Sequence, residues 1–210
     1  MIKSLDSSDD FARALCKHAP HFGVVLTDEI ISGLKGYYET VSVWNARLHL
    51  VAPCSPEEFA VRHVLESLVA IRYFPESTRV ADVGSGAGLP IIPCLIARPR
   101  LQATLIESSK KKAVFLREVL RRVIPQSAAS VVNERFESVD APEVDFVTCR
   151  ALERFSEKIP ELVAWSTHAS KLLLFGGESI REKIESLSLP YRTLNLPESE
   201  RRFLFVVQHK

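Results

Sequence analysis

The spacing of hydrophobic and polar positions changes once along the chain, near Phe74-Pro75. Before that point apolar residues recur at helical intervals. Asp9-Asp10-Phe11, behind Ser7 or Ser8, predicts a short first helix capped by one of those serines and ended by Pro20. Ile30, Ile31, Leu34, Tyr37, Tyr38, Val41 and Trp44 share one face of a second helix, expected from Thr27 to about Arg47. Gly33 and Gly36 weaken that helix and leave room for another element to pack closely. Ser55-Pro56-Glu57-Glu58 combines a capping box with a proline in the first turn, and Phe59, Val61, Val64, Leu65 and Leu68 form the buried stripe that follows.

After Phe74-Pro75, short β-branched or leucine-rich runs alternate with helical stretches, the pattern of a parallel α/β sheet. Strands are expected at 79–83, 103–107, 130–133, 145–149, 171–175, 192–196 and 203–208. The last two are separated by Pro197-Glu198-Ser199-Glu200, too short for a helical crossover, so they should pair antiparallel. The expected architecture is a seven-stranded, mostly parallel sheet with an antiparallel last strand and an N-terminal helical extension. The division is 1–74 for the extension, packed on the core, and 75–210 for the sheet domain, together one compact unit.

Chemistry concentrates at 79–90, where a strand runs into Gly84-Ser85-Gly86-Ala87-Gly88-Leu89-Pro90 and an apolar helical run follows at once. Glycines let main chain turn sharply and approach a ligand with no side chain between. Asp82 stands in an otherwise apolar strand end, where a carboxylate needs a partner. Glu107 lies at the end of the next strand, about twenty residues on, where a carboxylate can accept from ribose hydroxyls. The loop therefore reads as a nucleotide-type binding loop. A dinucleotide fingerprint needs glycine at position 89, which is Leu89, and no Gly-Lys-Ser/Thr follows to make a P-loop.

Charge and composition narrow the picture further. The net charge is +1, with 7 Lys+Arg against 9 Asp+Glu in residues 1–74, so any nucleic-acid contact is a local patch. Lys110, Lys111 and Lys112 begin a helix on the rim of the expected site and can hold phosphate, whereas Arg121 and Arg122 read as a solvated face. Arg150, on the carboxyl edge of the sheet beside the loop, must pair with an anion or stack on a base. Cys149 packs a strand end, or is a thiolate nucleophile of the kind cytosine-5 methylation requires. His63 reads as a packing or capping histidine. The four cysteines form no Cys-x-x-Cys pair and the six histidines show no ligand spacing, so no metal site is expected. No leader or apolar run of membrane-spanning length is evident, and a cytoplasmic chain without membrane contact is expected. A monomer is expected too, although the sequence does not fix the oligomeric state.

The Asp-x-Gly-x-Gly-x-Gly arrangement resembles the first motif of S-adenosylmethionine-dependent methyltransferases, with the Rossmann-like class I fold. Trp44-Asn45, Arg62-His63-x-x-Glu66-Ser67, the run from Asp82 to Pro93, Glu107-Ser108, Lys111-Lys112, Phe115-Leu116-Arg117 and Arg150-Ala151 are more specific. They resemble the family of 16S ribosomal RNA guanine-N7 methyltransferases, also called glucose-inhibited division protein B. The resemblance implies methyl transfer from S-adenosylmethionine to N7 of a guanine in 16S ribosomal RNA or the small ribosomal subunit. It implies cofactor contacts at Gly84, Leu89, Phe136, Glu137 and Arg150, beside Asp82, Gly86 and Glu107. Three departures stand out: His49-Leu50-Val51 where the family usually has Asn-Leu-Thr, Glu66 where it has Asp, and Phe175 where a lysine often precedes the glycine. Two alternatives stay open: a cofactor-binding, RNA-associated protein with lost catalysis, and a methyltransferase acting on another RNA target, for example cytosine through Cys149.

Overall fold

The computed structural model describes residues 3–166 and 171–208. Helix α1 spans Lys3–His18 and α2 spans Asp28–Leu48, with Thr27 Oγ1 accepting from the Ile30 amide as the N-cap of α2. The serines expected to cap α1 do not do so, because the helix begins before them. Ser8 is buried and donates to Glu39 Oε1 at 2.6 Å, and Ser7 Oγ lies 2.6 Å from the Tyr38 hydroxyl. Both hydroxyls thus tie α1 to α2 rather than closing a helix end. Gly33 does leave the expected room: a Cβ there would come within 2.8 Å of Ile96.

Helix α3 covers 56–73 and opens with the expected capping box: Ser55 Oγ accepts from the Glu58 amide at 3.1 Å, and the Ser55 amide donates to Glu58 Oε2 at 2.9 Å. Within it, Phe59–Leu65 is wound as a π helix, a winding that recurs at functional sites. Phe59, Val61, Val64, Leu65 and Leu68 are all buried, as the pattern predicted. So are Glu66 and Ser67, which no apolar pattern would place inside.

The seven strands are β1 (Arg79–Val83), β2 (Gln102–Ile106), β3 (Ala128–Val132), β4 (Phe146–Arg150), β5 (Lys171–Gly176), β6 (Tyr191–Asn195) and β7 (Phe203–Val207). Their order is β3-β2-β1-β4-β5-β7-β6. β7 pairs antiparallel with both β5 and β6, and the remaining pairs are parallel. The expected mostly parallel sheet with a reversed last strand is what forms. Helices α4 (Ile91–Ala97), α5 (Lys110–Val123), α6 (Phe155–Trp165) and α7 (Glu178–Ser186) complete the fold. The run at 89–97 becomes helical only from Ile91, because Leu89 and Pro90 belong to the loop.

Strand side chains alternate between the two faces of the sheet. Val80, Leu105, Phe146, Leu173 and Leu204 join one core with residues of α1 to α5. Ala81, Ile106, Val147, Leu174 and Phe205 join a second with α6 and α7. The same parity puts Asp82, Thr148, Arg150 and Phe175 on the face covered by the N-terminal helices. Among the described residues no helix is long and apolar enough to cross a membrane.

Replacing Ser55 with alanine removes the side-chain half of the capping box, the hydroxyl that accepts from the Glu58 amide, and should lower stability by about 1 kcal/mol. Urea unfolding should show an earlier midpoint at unchanged slope; an unaltered midpoint would mean that this bond contributes nothing.

Candidate cofactor cleft

β1 ends on Asp82-Val83, and the chain then turns through Gly84 and Gly86, both at positive φ (69° and 53°). The loop is held from three sides. The Gly84 amide donates to the Ile106 carbonyl at 2.9 Å, the Gly86 amide donates to Glu107 Oε2 at 2.8 Å, and the Tyr37 hydroxyl of α2 donates to the Ala87 carbonyl at 2.8 Å. A Cβ at Gly84 would come within 2.5 Å of Leu152. At Gly86 a Cβ would meet nothing nearer than the Gly84 carbonyl oxygen at 3.6 Å, so bare backbone faces open space there.

That space is a cleft at the carboxyl ends of the central strands, the usual ligand position in an open α/β sheet. It has two compartments that share Gly84, Ser108, Leu152 and Glu153. The larger, about 500 Å³, is lined by Gly86, Leu89, Glu107, Lys112, Arg150 and His63, together with Leu50, Val51 and Ala52. The smaller, about 320 Å³, includes Phe136, Glu137, Glu134, Arg154 and Lys158. Most residues singled out from the sequence are therefore brought together. Asp82 lies beneath the loop and lines neither compartment, while Lys110 and Lys111 are exposed at the start of α5 and outside both.

The acidic residues have distinct jobs. Asp82 is fully buried, and Thr148, directly opposite on β4, donates to its Oδ1 at 2.6 Å. Its Oδ2 has no hydrogen-bond partner. Burial raises its pKa to about 7. Glu107 accepts from Gly86 with one oxygen and from the Ser109 amide, at 2.7 Å, with the other. It thereby fastens the glycine loop to the start of α5, and each oxygen keeps a further lone pair. Glu137 receives the Lys158 ammonium at 2.7 Å; against partial desolvation, that bond holds its carboxyl below the usual range. Phe136 is buried, edge-on to Trp165 with ring centroids 5.7 Å apart.

Arg150 finds the anion expected of it, and an aromatic ring of the chain itself. Its NH2 donates to Glu66 Oε2 at 2.9 Å and to the Arg62 carbonyl at 2.6 Å, and its guanidinium lies over the Phe175 ring, 5.5 Å from the centroid. Glu66 is fully buried, and its other oxygen accepts from Arg202 Nε at 2.6 Å. Arg202, Leu152 and Ala52 escaped sequence reasoning, since none belongs to a motif or a periodic run, and Leu50 and Val51 stand out only as part of a departure from the family pattern. His63 packs on Phe59, as expected of a packing histidine, but it also lines the cleft. Its Nδ1 is buried without a partner, and burial together with Arg150 lowers its pKa to about 4, so it is neutral near pH 7. Cys149 is fully buried outside both compartments, and burial pushes its thiol well up, which removes the thiolate that cytosine attack requires.

This sheet, with a glycine loop after β1 and an acidic residue just past β2, defines a class I S-adenosylmethionine-dependent methyltransferase fold. A methyltransferase of that kind from Aquifex aeolicus superposes with a TM-score of 0.57 at 14% identity, covering 74% of this chain and 94% of that one. The family model for rRNA small subunit methyltransferase G matches residues 30–200, and the chain belongs to that family. The chain is 36% identical over 195 residues to ribosomal RNA small subunit methyltransferase G of Xanthomonas campestris pv. campestris strain B100, covering 88% of this chain and 89% of the relative. It is 32% identical over 199 residues to the protein of that name from Syntrophus aciditrophicus, covering 89% and 81%.

Replacing Glu66 with alanine leaves two arginines facing a site without its carboxylate and should destabilise the chain by about 3–5 kcal/mol. A loss below about 1 kcal/mol in urea unfolding would show that the pair is not the anchor described. Asp82 gives a pH signature. Its folded pKa of about 7 exceeds the ordinary 3.8, so between those values the folded chain binds more protons than the unfolded one. The stability of the wild type relative to Asp82→Asn should therefore fall as pH rises from about 4 to about 7 and level off above. A difference that does not vary with pH would contradict the raised pKa.

Proposed function

We propose that the chain transfers the methyl group of S-adenosylmethionine to N7 of a guanine in 16S ribosomal RNA. The observation that carries this reading is the two-compartment cleft floored by bare backbone at Gly84 and Gly86, in a chain whose relatives are named for ribosomal RNA small-subunit methylation. The residues present fit the cofactor. Glu107 retains acceptor capacity beside the loop in one compartment, while Phe136 and Glu137 offer an apolar wall and a hydrogen-bond acceptor in the other.

When bound, S-adenosylmethionine supplies an electrophilic methyl group on a sulfonium. Guanine N7 carries an in-plane lone pair and no proton at neutral pH, so this chain needs to orient the reactants rather than remove a proton. The side chains agree with that demand. Asp82 is sealed under the loop, Cys149 is a buried thiol, and His63 is a neutral imidazole beside three arginines. Arg150 orients the cofactor or the base, its guanidinium fixed by Glu66, the Arg62 carbonyl and Phe175.

Lys110, Lys111 and Lys112 occupy the first turn of α5, where the helix dipole disfavours cations by about 0.3–1 kcal/mol each. That placement does not serve the helix, and it favours a role in holding RNA phosphates at the rim of the cleft. A cytoplasmic location, on ribosomal subunits, accompanies this reading.

Arg150→Ala should still fold, because Arg202 continues to pair Glu66, and should lose at least about a hundredfold in methyl transfer. Small-subunit RNA from a strain lacking the gene, incubated with S-adenosylmethionine and either protein, would be mapped for N7-methylguanosine. Wild-type rates in the variant would reject the role of Arg150. Absence of N7-methylguanosine with the wild-type protein would reject the activity.

A further inference from the structure

Away from the cleft, three potential ligand atoms converge where the end of α1 meets the turn between β6 and β7. His18 Nδ1 lies 2.8 Å from Glu198 Oε1, and His21 Nδ1 lies 2.6 Å from the same oxygen. All three atoms fall within 4.8 Å of one another. The opposite ring nitrogen of His18, Nε2, is 2.9 Å from Glu57 Oε1, which Lys17 also reaches at 2.8 Å. If His18 donates through Nε2 to Glu57, its Nδ1 presents a lone pair to a carboxylate oxygen. Two acceptors at that distance repel unless a cation lies between them, either a proton on Nδ1 or a metal ion in its place.

We infer that His18, His21 and Glu198 form a binding site for a divalent cation of borderline softness, zinc being the ion this donor set suits. Two imidazole nitrogens and one carboxylate oxygen are a common zinc set, with the fourth position left for water. At zinc–nitrogen and zinc–oxygen distances of about 2.0–2.2 Å, tetrahedral ligand atoms stand roughly 3.3 Å apart. The Glu198 oxygen would need to move from each imidazole by only about half an ångström to reach that spacing. Glu57 supplies the carboxylate behind the ligating histidine that fixes its tautomer and orients its ring. Two carboxylates at the cluster balance the ion's charge.

The histidines gave no hint of this along the chain, because the third ligand is 177 residues beyond His21 and only the fold brings it there. Bound metal would clamp the end of α1 to the turn that leads into Arg202, joining the helical and sheet parts at a second point.

The test is calorimetric titration of zinc chloride into the full chain and into His21→Gln and Glu198→Gln. Both substitutions lie at exposed positions, and both leave all four cysteines in place. The expected result is one zinc per chain in the wild type, at least tenfold weaker in each variant, with a zinc-dependent rise in melting temperature that both variants lose. Cobalt in place of zinc should give a visible ligand-field band with no sulfur charge-transfer band. Zinc uptake that is unchanged in both variants would assign it to the exposed thiols and overturn the site, as would a wild type that binds no zinc.

Discussion

A single buried carboxylate organises this molecule. Glu66 is shut away from solvent inside α3, and its two oxygens take the guanidinium groups of Arg150 from β4 and Arg202 from the approach to β7. Moving a carboxylate from water into protein costs several kcal/mol, which only close, hydrogen-bonded cations offset. The arrangement therefore persists only when three elements are docked together. It also determines where Arg150 points. A flexible arginine at a sheet edge would sample many rotamers; this one is held by a carboxylate, a carbonyl and an aromatic face.

The N-terminal helices consequently belong to the site. α2 holds the glycine loop through Tyr37, α3 contributes Glu66 and His63, and the segment between them forms a wall of the larger compartment. The parity of the strands makes this possible, since Asp82, Thr148, Arg150 and Phe175 all face the helical layer. Phe175 presents its ring to Arg150. The aromatic face takes part in fixing the guanidinium.

What could be read from the sequence followed the range over which each signal acts. Strand runs, the capping box at Ser55 and the glycine loop are local, and all appear where expected, apart from shifts of a residue or two at element ends. Glu107 was legible because its position just past a strand is also a local property. Ser7 and Ser8 misled because a serine before an acidic pair resembles a cap, whereas these two bond across to α2. Burial of Glu66 was invisible for a stronger reason. Its partners lie 84 and 136 residues away, and periodicity reports which face of an element is buried without saying what it meets there. The place of Leu152 in both compartments of the cleft and the convergence of His18, His21 and Glu198 are hidden in the same way.

The separation between Glu66 and Arg202 also bears on how the chain is made. α3 leaves the ribosome long before either cation that will neutralise its carboxylate. Until β4 brings Arg150, docking α3 on the growing sheet would bury an unpaired charge, and one carboxylate oxygen stays without its cation until β7 brings Arg202. The helical segment must therefore wait, partly undocked, while the central strands assemble beside it. β7 slots between β5 and β6, and its arrival delivers Arg202 and closes the sheet in one step. Contacts of such long range slow folding but make it cooperative. The last strand to emerge therefore carries the second cation of a carboxylate made 136 residues earlier.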